Sequence, residues 1–141
     1  MKTRLSAIAP AGLTLTLVVL ILGGADELRC DEFTREDLVR WQQEYISVVN
    51  RGDVLFHGGL GNHNTVSCDQ CHPNAANTHP ETYPKFQQQL GKVVALGEMI
   101  NWCIMNPLES GPLALDDPDL IALQAYILHE RRGVGLAAGR H

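Results

Sequence analysis

Apolar residues recur at helical spacing in three stretches of the chain. In the first, Leu38, Trp41, Tyr45, Val48 and Val49 follow Thr34, and Thr34 with Asp37 three positions on has the form of a capping box. This predicts a helix over about residues 35–50, broken at Gly52, with Val54, Leu55 and Phe56 continuing an apolar segment to Gly58 and Gly59. In the second, Leu96, Met99, Ile100 and Cys103 fall at i, i+3, i+4 and i+7, one face of a helix. It is expected over about residues 85–106, weakened at Gly91 and Gly97 and ended by Pro107. The third is punctuated by Asp117 as N-cap, Pro118 in the first turn and Gly133 as the stop, with Leu120, Leu123, Ile127 and Leu128 inward. No alternating run marks a strand, so the expected class is all-α.

Between these stretches, residues 58–67 are rich in Gly and Asn and read as loop. Pro73, Pro80 and Pro84 forbid a long helix after His72, and the segment reads as an ordered loop wrapped around something. At the N-terminus Lys2 and Arg4 precede an apolar run clearest from Leu13 to Leu22, then small Gly23, Gly24 and Ala25. This pattern predicts a signal peptide over residues 1–25 and an exported, periplasmic-type location. A retained anchor is the alternative, but the run is short of the roughly 20 residues a spanning helix needs. Residues 26–141 then form one expected domain.

The chain has 141 residues, 45% of them hydrophobic, and a formal net charge of -5. A packed core is feasible. The acidic balance argues against nucleic-acid binding and against attraction to an anionic membrane, leaving membrane contact only through a retained leader. The expected partners are redox proteins with basic docking patches.

The chemistry concentrates in Cys68-Asp69-Gln70-Cys71-His72, a C-x-x-C-H run. Two thiols three positions apart can add to the two vinyl groups of one haem, and the adjacent imidazole can reach its iron. The motif therefore predicts one covalent haem c at Cys68 and Cys71, with His72 as proximal ligand. A thioredoxin-like pair would call for a βαβ pattern, and a zinc site for a second Cys/His pair at short spacing; neither is visible. The distal candidates are Met99, Cys103, Met105, His57, His63, His79 and His129. Met99 and Cys103 share a helical face, whereas Met105 lies on the opposite side. The histidines sit in polar contexts, and His79, in the Pro-rich loop, is the strongest of them. Tyr83 and Trp102 are candidates to pack on the haem or to hydrogen-bond a propionate. Cys103 could also be a buried apolar residue or pair with Cys30.

The stretch Ile100-Asn101-x-Cys103, Gly111-Pro112-Leu113, Asp117 and Ala122-Leu123-x-Ala125-Tyr126-Ile127 resembles SoxA-type and thiosulfate-dehydrogenase-type cytochromes of sulfur oxidation. The resemblance covers about residues 50–130. It implies a class I cytochrome c fold and makes Cys103, about 30 residues after His72, the distal ligand, with Met99 the alternative. The chain departs from that family in having one haem motif and no Arg close after Cys103, where Pro107 and Leu108 follow Asn106. The expected function is a monohaem c-type cytochrome carrying electrons in an exported respiratory, photosynthetic or sulfur-oxidation chain. The alternative is the haem subunit of a thiosulfate- or sulfur-oxidising enzyme or of a larger cytochrome assembly.

Overall fold

A computed structural model describes residues 33–60 and 64–136. The expected leader, Cys30 and its possible disulfide, His63 and the last five residues lie outside them. Among the described residues no helix is long and apolar enough to cross a membrane.

The first helix, α1, runs Arg35–Val54. Thr34 accepts from the Asp37 N–H and the Asp37 carboxylate accepts from the Thr34 N–H, the capping box the sequence anticipates. Leu38 and Trp41 remain exposed, because this end of α1 extends away from the core, and Trp41 rests edge-on against Phe33 at 4.9 Å. Gly52 does not break the helix. It is buried inside α1, where an added Cβ would lie 2.0 Å from the Ala122 carbonyl oxygen and 2.7 Å from Tyr126 Cβ. The missing side chain is what lets α1 cross the last helix backbone to backbone. A wider turn, Leu55–Gly59, follows and departs from helical geometry at Gly58, whose φ of 114° suits only glycine. It carries Leu55 and Phe56 into the core and leaves Val54 in solvent.

The short helix α2 is Cys68–Cys71. Two single turns follow, Pro73–Ala75 and Pro80–Thr82, and the Tyr83–Pro84 peptide is cis. The long helix expected over 85–106 is instead a hairpin followed by a shorter helix. Strand β1, Lys85–Gln87, pairs antiparallel with β2, Lys92–Val94, with Phe86 opposite Val93. The β-branched pair Val93-Val94 suits a strand, and Gly91, at φ 66°, makes the turn. Helix α3 is only Leu96–Met105. Glu98 starts it by accepting the Ala95 N–H, the one half of a capping box available when the N-cap has no side-chain acceptor. The described residues are thus mostly helical, in keeping with the expected class, with one small hairpin.

Helix α4, Pro118–Glu130, has the expected ends: Asp117 accepts from the Asp119 N–H, and Gly133 takes φ 75°. Leu120 and Leu123 are fully buried, whereas Leu128 faces solvent, one helical step round from buried Ile127. With Val49, Phe56, Ile100, Ile104 and Tyr126 they form a single core. Each large apolar side chain there contributes about 1.5–3 kcal/mol by leaving water. The Phe56 and Tyr126 rings meet at 5.0 Å.

Gly52→Ala should lower the thermal unfolding midpoint. Alanine gains about 1 kcal/mol in helix propensity. The new methyl, however, meets backbone that cannot swing aside, which places the overpacking cost at or beyond the upper end of the usual 1–3 kcal/mol, about 3 kcal/mol. An unchanged or raised midpoint would show that the crossing relaxes freely.

Candidate haem site

One helical turn carries both thiols of the motif. The His72 N–H closes it by donating to the Cys68 carbonyl at 3.0 Å, so Cys68 and Cys71 project from one edge and His72 follows directly. His72 Nδ1 lies 2.9 Å from the Ala76 carbonyl oxygen. A carbonyl can only accept, so Nδ1 carries the hydrogen and Nε2 presents a lone pair. This is the tautomer and the backbone support that a metal-ligating imidazole uses.

The Ala76 carbonyl is placed by an unusual backbone. Asn74, Ala75, Asn77 and His79 all have positive φ, between 47° and 60°. Such residues cost about 1–3 kcal/mol each and persist only where their surroundings hold them. Ala75 is fully buried, and its carbonyl accepts from both the hydroxyl and the N–H of Thr78. The prolines of this segment signal order. The left-handed run itself carried one weak signal, the tolerance of Asn and His for that region.

The attachment turn opens on a cavity of about 450 Å³, within the range of small-molecule and cofactor sites. Leu96, Met99, Ile100 and Cys103 of α3 line it together, as their spacing anticipates, and Leu123 and Ile127 of α4 complete the apolar side. A broader depression of about 640 Å³, around Tyr45, Glu81 and Leu128, contains no Cys, Met or His among the described residues lining it.

Cys103 is a free thiol pushed up to about 11, first by burial and then by the charge of Cys71. Cys68 is likewise pushed up to about 11, by burial and then by Cys103. All three thiols line the one cavity. Met99 sits one turn before Cys103 on the same wall, whereas Met105 is 44% exposed and outside it. His57 is taken up by Asp53, through its carbonyl and its carboxylate at 2.9 Å each. His129 lies 3.5 Å from the Tyr45 hydroxyl, also away from the cavity. His79, Tyr83 and Trp102 all line it. Among the described residues no three His, Cys, Asp or Glu side chains gather as a site for a bare metal ion. Two thiols on one turn, a supported imidazole beside them and sulfur donors on the wall formed by α3 are, however, a donor set that fits haem c.

Residues 51–136 match the family described as SoxA/TsdA, cytochrome c domain. The chain belongs to that family. It is a c-type cytochrome, and membership implies covalently bound haem c. No curated protein matches the chain. The part matched as a SoxA/TsdA cytochrome c domain begins at the helix crossing, includes the C-x-x-C-H turn, and runs through α3 and α4.

Asn101, two positions before Cys103, has a role the motif alone did not disclose. It is buried, and its amide donates to the Leu113 carbonyl at 2.8 Å and accepts from the Leu113 N–H at 2.9 Å. Asn101 therefore ties the α3–α4 loop to α3 through both backbone groups of Leu113. Asn101→Ala would orphan both backbone groups and should destabilise by about 2–4 kcal/mol, read by denaturant unfolding. Asn101→Asp, which keeps an acceptor for the Leu113 N–H, should recover part of the loss; equal losses would mean the two hydrogen bonds do not carry it.

Proposed function

We propose that the chain is a monohaem electron carrier. Its haem is joined through thioethers to Cys68 and Cys71, and its iron is bound by His72 on the proximal side and Cys103 on the distal side. The observation that carries this reading is the hydrogen bond from His72 Nδ1 to the Ala76 carbonyl, which commits Nε2 as a donor beside the two thiols. When bound, the haem supplies the one-electron chemistry. The protein tethers it, orients the imidazole and keeps water out with the apolar wall of α3 and α4. Cys103 is neutral while unbound, because burial holds its thiol at about 11, so it must lose a proton to ligate as thiolate. Met99 on the same face is the alternative ligand.

Carriage is favoured over catalysis. With His72 and Cys103 both bound, the iron has no open position for a substrate. No arginine lines the cavity among the described residues, and the chain is acidic, both unhelpful for capturing a sulfur oxyanion. The acidic surface would steer the protein to basic patches on redox partners at low salt. The N-terminal pattern supports export, so the proposed setting is a periplasmic chain, including one of sulfur oxidation.

The holo-protein should keep its haem on a denaturing gel, at a mass of one haem per chain. Cys103→Ala should convert the ferric spectrum to an open or water-ligated form and raise the reduction potential, since a thiolate favours ferric iron. Met99→Ala should leave the spectrum nearly unchanged. A far-red methionine band lost in Met99→Ala and kept in Cys103→Ala would reassign the ligand. Sustained thiosulfate oxidation by the purified protein alone would replace the carrier with an enzyme.

A further inference from the structure

The cavity is chemically divided. Its apolar lining comes largely from α3 and α4, while its polar groups come mostly from one stretch: Asn77, Thr78, His79, Tyr83, Lys85 and Gln87. Among the described residues lining it there is no Asp or Glu, and Lys85 is the one Lys or Arg. That is unexpected in a chain of net charge -5. Lys92 on the partner strand of the same hairpin is paired with Glu98 at 2.8 Å, whereas Lys85 has no carboxylate partner among the described residues. Its ammonium instead lies 4.4 Å from the centre of the Tyr83 ring. The Tyr83 hydroxyl accepts from the Gln87 amide, which leaves its own hydrogen free to be donated. Burial raises the Tyr83 phenol, so it remains a donor. A cation and a phenolic donor side by side, with no acid to meet them, suit a carboxylate.

A haem carries its two carboxylates on the edge opposite its vinyl groups. Tethering the vinyl edge at Cys68 and Cys71 sends the carboxylates away from α2. We propose that Lys85 and Tyr83 form the carboxylate-binding pole of the cavity and hold a haem propionate, an assignment that rests on the haem attachment proposed above. Lys85 is then a positioning residue that also sets the potential. Its positive charge near the ring disfavours the ferric state, which carries one charge more than the ferrous.

The test uses holo-protein. Lys85→Gln should lower the reduction potential and shift the propionate bending band in the resonance Raman spectrum, and Lys85→Arg should restore both. Tyr83→Phe should shift the band with less effect on potential. Haem stoichiometry, thioether mass and axial-ligand bands should stay those of the parent; their absence from the parent itself would refute the attachment instead. Carbodiimide treatment of the unsubstituted protein keeps the proposal testable if a variant fails to mature. It should join Lys85 to the haem as an amide, one water lighter. An unchanged potential and Raman band in Lys85→Gln overturns the proposal. So does carbodiimide coupling of the haem only elsewhere. A Lys85→Gln protein that keeps its potential but loses a thiosulfate-induced spectral change would place an external anion there instead, and also overturns it.

Discussion

Gly52 meets the Ala122 carbonyl with no room for a side chain, and the rest of the fold is arranged around that contact. A backbone-to-backbone crossing holds α4 closer to α1 than interdigitated side chains would allow. At that distance Tyr126 reaches Phe56, and the α4 stripe of Leu123 and Ile127 is presented to the cavity rather than spent on α1. The salt bridge from Arg51 to Asp119 spans the same crossing, but it is solvent-exposed and contributes little. Close packing, not charge, sets the geometry.

The proximal side shows the opposite economy. Four left-handed residues within six positions are a local cost, offset by the complete burial of Ala75 and the paired hydrogen bonds from Thr78. What this strain secures is the position of one carbonyl oxygen, that of Ala76. That oxygen decides which nitrogen of His72 carries its hydrogen. A relaxed loop would leave the imidazole free to rotate and to take either tautomer, so the strain and the donor are parts of one device.

Among the described residues lining the cavity there is no Asp or Glu, in a protein of net charge -5. Desolvation holds the partly buried thiols of Cys68 and Cys103 neutral, so neither repels a haem carboxylate before attachment. Helical spacing puts both Met99 and Cys103 on the distal wall, and geometry alone serves either. The proposed preference for Cys103 rests on the Asn-x-Cys pattern, whose Asn101 anchors the loop leading into α4.

Much of this was legible along the chain, wherever the determining interaction lies within a turn or two of sequence. The Thr34–Asp37 box, the Asp117, Pro118 and Gly133 boundaries, the C-x-x-C-H turn and the shared face of Met99 and Cys103 all follow from local spacing. The hairpin did not, because Lys85–Gln87 and Lys92–Val94 are too short for periodicity to outweigh the helical pattern that follows them. Nor did Gly52, which a one-dimensional reading takes for a breaker; only the neighbouring helix, some 70 residues on, shows that the missing Cβ is the point. The His72 tautomer, the double anchor of Asn101 and the seat of Lys85 over the Tyr83 ring are likewise set by contacts that form only on folding. Residue types and local spacing determined which groups could do chemistry, and the tertiary contacts decided which of them face one another.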